Sequence, residues 1–374
     1  MLFRNKKHFD EINGELEKLF KKSIVLAPHN FPNLELKIID QDTEKPTNFD
    51  INNLNQSFHD YIKWKENNHV GEIYVEGHGI QAFLQIMLTY CIPVNDVLLI
   101  DEPEIHLYPS VKRKFGNALG EISKKNQKQF FCVTHDSDFL QGVFDSKCEA
   151  TIIKIKKNGK KREIIHKHFD KDAQYLAGQN QTPFLQIPFL DAAIIVEGST
   201  DRLVYEHVFF ENKFLNDMEY KFISSGGKDS ISNPVRIAND LKVPYAIILD
   251  IENLKDKDNA HLLKLGRVQE VSGLQEEITE LGPKLKGISN FLTSGLDAIT
   301  DTGLKGRTEK LINFLKGIGI FIVYRGTLES WGQVSSEKKN MFPERFIEEY
   351  SKNKEAFKEM IEFLKGIETY IKKQ

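Results

Sequence analysis

The sequence predicts an α/β protein built on two separate sheets, and three observations carry that expectation. Short apolar, β-rich runs recur along the chain, amphipathic stretches separate them, and several runs end on an acidic or otherwise reactive residue. Continuous apolar runs between polar turns are the pattern of buried parallel strands, and in such sheets ligands bind beyond the strands' carboxyl ends. At 374 residues the chain is long enough for two or three domains.

Taken in order, the runs are Val97 to Ile100 before Asp101 and Glu102, then Phe130 to Val133 before Thr134 and His135. Ala192 to Val196 precedes Glu197, Ala246 to Leu249 precedes Asp250, and Ile318 to Tyr324 precedes Arg325, Gly326 and Glu329. Helices are expected between them at Gly79 to Tyr90, Ser110 to Asn126, Asp201 to Glu211 with Thr200 as N-cap, and Asn233 to Leu241. Residues 158–190 join a basic turn to a Gln-, Pro- and Asn-bearing stretch and read as a connector. Residues 255–317 carry helical spacing (Leu274, Ile278, Leu281, then Ile288, Phe291, Leu292) with no strand signal, which predicts a helical insertion. From Lys354 onward, Ala356, Met360, Phe363, Leu364, Ile367 and Ile371 share one face of an amphipathic helix.

Composition narrows the function. With 51 Lys and Arg against 54 Asp and Glu, a formal net charge of −3, no global basic field exists, so any nucleic-acid contact must be local. Basic runs occur at Lys154 to Arg162, at Lys112 to Lys114 and at Lys372 and Lys373, and each taken singly reads as a solvated face or turn. Three cysteines, Cys91, Cys132 and Cys148, form no CxxC pair, so neither a disulfide framework nor a zinc site is indicated. No apolar run is long enough for a membrane span, and charges occupy the N-terminus where a signal peptide needs apolar residues. A cytoplasmic protein without a membrane partner is expected.

VLLIDEPEIHLYP (Val97 to Pro109) delivers two adjacent acids from a strand. Nucleotide hydrolysis uses such a pair, Asp101 to hold Mg²⁺ through water and Glu102 to orient or deprotonate the attacking water. EGHGIQ (Glu76 to Gln81) puts Gly77 and Gly79 at a helix start, where backbone N–H groups can approach a phosphate, with Gln81 following. FFCVTHD (Phe130 to Asp136) offers His135 at a strand end. In this order the three segments resemble the signature loop, Walker B strand and switch histidine of ABC-type ATPases, most closely the version found in OLD (overcoming lysogenization defect) and related AAA families.

One departure stands out. No GxxxxGK[ST] occurs: GGKDS at Gly226 and NGKK at Asn158 have other spacings. Without that loop the N–H cradle and lysine for the β- and γ-phosphates are missing, so ATP is expected only if a P-loop is supplied from elsewhere. Met1 to Val70 resembles the middle of such a lobe. A truncated chain, a split gene product and a degenerate lobe used as a platform all remain open.

The second constellation gathers acids. Glu197 ends a strand, Gly198 turns the chain and Asp201 starts a helix; Asp250 and Glu252, two apart on an extended backbone, point to the same side; Glu329 follows a glycine turn. Five acids at strand ends repel one another and raise their own pKa values unless a cation neutralises them, and hard divalent ions with oxygen ligands, Mg²⁺ or Mn²⁺, suit them. Two such ions can stabilise both oxygens of an in-line phosphodiester displacement.

The order Glu-Gly-x-x-Asp, then SSGGKDS (Ser224 to Ser230), then Asp-x-acid resembles the Toprim fold, and the later G-x-LE is similar to its OLD version. That resemblance implies Glu197 as metal ligand or general base, Asp201, Asp250, Glu252 and Glu329 as metal ligands, and Gly226 and Gly227 as a tight turn beside the site. Glu252 stands where the family pattern has a second Asp. A late lysine near the scissile phosphate is also implied, and Lys354 lies in a similar region.

The resemblance implies a partial ABC-type ATPase lobe over residues 1–157, a connector over 158–190, and a Toprim α/β domain over 191–374 with the insertion at about 255–317. The function it implies is a divalent-metal-dependent DNA endonuclease, gated or assembled by the ATPase lobe, acting in phage defence. The alternative is an ABC-type ATPase or scaffolding subunit with a non-catalytic Toprim domain. ABC lobes pair head to tail, so a homo-oligomer through the ATPase lobe is expected, and a second protein subunit is a further candidate partner.

Overall fold

The computed structural model describes residues 6–28, 34–46, 54–90, 96–158, 161–170, 183–255, 259–332 and 342–374. Cys91 and parts of the expected connector, residues 159–160 and 171–182, lie outside them. The chain divides into two compact units, Met1–Ala150 with Phe169–Thr182, and Thr151–His168 with Pro183–Gln374.

In the first unit, α1 (Lys6–Phe20) leads into β1 (Lys22–Pro28), which pairs antiparallel with β2 (Leu34–Asp40). After α2 (Leu54–Asn67), the short β3 (Gly71–Glu72) extends this sheet. Next come α3 (His78–Tyr90), β4 (Val97–Asp101), α4 (Pro109–Asn126), β5 (Gln129–Val133) and α5 (Ser137–Asp145). β4 and β5 are parallel, with Leu99 beside Phe131 and Asp101 beside Val133. Ile12, Leu16, Phe83, Met87, Leu98, Phe115 and Phe139 share one core.

The expectation of strands buried on both sides is met on one face only of this pair. Leu98 faces the core, whereas Val97, Leu99, Phe131 and Val133 are exposed, Leu99 by 80%. The physical reason is layering: among the described residues, α3 and α4 supply the side chains that pack against Leu98, Ile100 and Phe130, and the alternate residues point away from them.

In the second unit β6 (Ala150–Asn158) and β7 (Lys161–Phe169) form a two-stranded sheet. Residues 161–169 of the expected connector form β7, and from Thr151 to His168 the ribbon groups with the second unit. Lys154 Nζ donates to Leu190 O at 2.8 Å, and Lys167 pairs with Asp240 at 3.2 Å, which ties it there.

The main sheet follows: β8 (Ala192–Val196), α6 (Ser199–Glu211), β9 (Tyr220–Ser224), α7 (Ser232–Asp240) and β10 (Tyr245–Asp250). A helical segment, α8 (Ala260–Leu263), α9 (Gly266–Gln269), α10 (Leu274–Lys286), α11 (Phe291–Ser294) and α12 (Thr302–Gly317), leads to β11 (Ile320–Val323). The chain then runs through α13 (Phe342–Lys352) and a single 3-10 turn (Lys354–Phe357) into α14 (Lys358–Ile371), which buries Met360, Phe363, Leu364, Ile367 and Ile371.

The sheet order is β11-β10-β8-β9, parallel throughout. Succession from β8 runs outward to β9 on one side and returns to β10 on the other, so the crevice between β8 and β10 is the topological switch point where α/β sheets bind ligands. Fully apolar strands such as AAIIV and IFIV fit this doubly covered sheet. Among the described residues no helix is long and apolar enough to cross a membrane.

Candidate functional site

Glu197 follows β8 directly and Asp250 ends β10, so both lie at the switch point. Glu197 Oε1 accepts from the Asp250 N–H at 3.2 Å and from Asn253 Nδ2 at 2.7 Å; the same amide lies 3.0 Å from Asp250 O. Burial raises the Glu197 pKa, with those two donors and Lys228 opposing.

Asp201 belongs to the start of α6, where its Oδ2 accepts from the Gly198 N–H at 2.9 Å. The helix therefore begins at Ser199 with Gly198 as its N-cap, and Thr200 lies inside it rather than capping it. Asp201 reaches back to the cap N–H as the acid of a capping box does. Burial raises its pKa and Glu329 adds to the rise. Asp250 is pushed up to about 9, by burial first and then by Asp201, Glu197, Glu252 and Glu329. Glu329 stands on the 3-10 turn Leu328–Trp331, behind Gly326, whose φ of 129° and close approach to Leu292 O admit no side chain. Ile251 N–H donates to Gly326 O at 3.2 Å, joining this turn to the end of β10.

The structure thus brings Glu197, Asp201, Asp250, Glu252 and Glu329 into one electrostatic cluster, beside the turn made by Gly226 and Gly227. Lys354 is not brought there. Its Nζ pairs with Glu211 at 3.2 Å, at the opposite end of α6 from Asp201, and ten residues of helix are about 15 Å. Asn253 and Lys228 are the members that sequence reasoning missed. An amide directly after an Asp-x-acid pair, and a lysine inside SSGGKDS, were the available signals.

Hard oxygen donors, partly buried side by side and repelling one another, fit a divalent cation. Among the described residues, however, no three of them already converge as a finished cage. The hydrogen bonds explain this: Glu197 is held by Asn253 and the Asp250 N–H, Asp201 by Gly198, and Glu252 by an ion pair with Lys228.

In the first unit His135 Nδ1 and Glu102 Oε1 are 2.9 Å apart at the carboxyl ends of the parallel pair. Glu102 takes φ of 44°, a left-handed conformation unusual for a side-chain-bearing residue and typical of functional turns. Asp101 ends β4 on the same open face as Leu99. Behind them Glu104 is buried and accepts from Thr134 Oγ1 at 2.5 Å, while its other oxygen has no partner among the described residues. Gly77 has open space where a Cβ would stand, but at Gly79 a Cβ would meet Leu107 Cδ2 at 2.7 Å, so this glycine serves packing of α3 on the loop after β4. Gln81 Nε2 is engaged by Glu76 O at 2.6 Å.

Comparison with known proteins agrees with this division. Residues 3–140 match the AAA ATPase domain family, and residues 189–251 match the Toprim domain of overcoming-lysogenization-defect-like proteins. Toprim domains in general bind divalent metal ions. An OLD nuclease of Thermus scotoductus is 27% identical over 163 residues, covering 41% of this chain and 30% of that protein. The chain thus spans about a third of the length of the curated relative it matches. Among solved structures, one from work on ATP-driven dimerization and DNA-stimulated activation of SMC ATPases is 14% identical, with TM-score 0.31, covering 47% of this chain and 92% of that one. An SMC head bound to the C-terminal winged-helix domain of ScpA is 13% identical, with TM-score 0.29, covering 44% and 45%. An AAA-type ATPase domain followed by an OLD-like Toprim domain is the architecture of the OLD family, and this chain has that architecture.

Proposed function

We propose that this chain is a divalent-metal-dependent DNA endonuclease, with Glu197, Asp201, Asp250, Glu252 and Glu329 holding Mg²⁺ or Mn²⁺. The observation that carries the reading is Asp250, a carboxyl at the switch point pushed up to about 9 by burial and four neighbouring acids. Such a group is costly to ionise without a cation and well placed to bind one.

Two ions bound there would supply charge to the attacking and leaving oxygens of a phosphodiester. Asn253 orients Glu197 through Oε1, and the raised Glu197 pKa makes its carboxylate a stronger base toward a water molecule. Asp201, fixed by the Gly198 N–H, stands on the α6 side of the cluster.

The Glu102–His135 contact supports a nucleotide-responsive role for the first unit, in which ATP gates or assembles the nuclease once a P-loop is supplied. Assembly as a homo-oligomer, a second subunit, a cytoplasmic location and a place in phage defence belong to the same proposal.

The test is cleavage of supercoiled plasmid by the purified chain with Mg²⁺ or Mn²⁺ and no ATP, beside a Glu197→Ala, Asp250→Ala double variant. Metal-dependent cutting that the variant loses is the expected result. Equal cutting by both proteins would refute the site.

A further inference from the structure

The turn after β9 places a cation among the carboxylates. Gly226 and Gly227 take φ of 78° and 133°, which glycine tolerates, and Gly227 N–H donates to Glu197 O at 2.9 Å. The Ser225 hydroxyl lies 3.2 Å from Glu197 O and 2.9 Å from Gly227 O, so the turn is fastened to the backbone of the acid itself. The next residue, Lys228, forms an ion pair with Glu252 Oε1. Because β9 and β10 flank β8, that pair reaches across the carboxyl end of β8, above the switch point.

We propose that Lys228 holds Glu252 in the metal-free protein, yields it when a divalent ion binds, and then turns its ammonium to a phosphate of the DNA. The inference rests on the metal-dependent DNA reading above. Lys228 already neutralises Glu252 through Oε1, and its ammonium repels a second cation beside the same carboxylate, so the two compete for Glu252. The pair is a quarter exposed on each side, 27% and 25%, and a lysine is a compact charge on a flexible stem, so its ammonium can leave Glu252 by side-chain rotation. Lys228 is therefore a positioning residue for Glu252 first and a phosphate contact second.

The experiment is calorimetric titration of Mn²⁺ into the whole chain without DNA, for wild type, Lys228→Met and Lys228→Arg, followed by duplex binding across a salt series. Removing a partly exposed ion-pair competitor should tighten Mn²⁺ binding about two- to fivefold in the Met variant and leave the Arg variant near wild type. The Met variant should also bind DNA more weakly, with a salt slope smaller by about one unit. Equal Mn²⁺ affinity in wild type and Met variant would overturn the competition, and an unchanged salt slope would overturn the phosphate contact. Absence of Mn²⁺ binding to the wild type would instead overturn the metal reading, and this inference with it.

Discussion

Asp250 shows what the cluster does to a single residue. An unfolded chain ionises this side chain at about 4, whereas the folded, metal-free chain holds its proton up to about 9. Between those values the folded state carries the extra proton, so the contribution is fully present below the window and is lost as pH rises through it. Glu197 and Asp201 are shifted in the same direction and add to the slope. A divalent ion must expel that proton, so its binding strengthens as pH rises over the same window. Mn²⁺ should therefore raise the unfolding temperature more at about pH 8.5 than at about pH 5.5, and Asp250→Asn should flatten the metal-free profile. A pH-independent Mn²⁺ shift in thermal unfolding would contradict the raised pKa. The five acids were legible in the sequence because each ends or follows a strand, where position alone indicates direction. Lys228 and Asn253 were not, because their contacts depend on which strands are neighbours. Lys354, taken from resemblance to a late lysine of the family, instead pairs with Glu211 at the far end of α6 from Asp201.

At the scale of elements, the main sheet was readable where strands are apolar throughout, as in β8, β10 and β11. β9 (YKFIS) was missed because a lysine interrupts its apolar run, and β2 (LELKIID) because its apolar residues alternate with charged ones instead of running continuously. The packing of α4 on α5 was equally invisible, since it depends on glycines that a sequence presents as ordinary helix breakers. A Cβ on Gly142 would lie 1.9 Å from Arg113 O, and one on Gly116 would lie 2.1 Å from Phe139 O. Backbone atoms cannot yield as a side chain would. Alanine improves helix propensity by about 1 kcal/mol over glycine, yet Gly142→Ala should destabilise the first unit by about 1–3 kcal/mol, because overpacking outweighs that gain. Urea unfolding measures the difference, and a stabilised variant would show that the two helices do not approach so closely.

For the whole molecule, the two units have separate cores, one centred on Phe83, Phe115 and Phe139 and the other on Val196, Tyr205, Phe321 and Phe346. All the proposed metal ligands belong to the second unit, from Glu197 to Glu329. A chain with independent cores has no reason to unfold in one cooperative step. A ligand that binds only one folded unit stabilises that unit by RT ln(1 + [L]/Kd), with [L] the free ligand concentration. Differential scanning calorimetry should accordingly resolve two transitions, with Mn²⁺ moving only the one that belongs to the second unit. Glu197→Ala with Asp250→Ala should abolish that movement, and Gly142→Ala should lower the other transition alone. If one transition responded to both Mn²⁺ and the Gly142 substitution, the units would be energetically coupled.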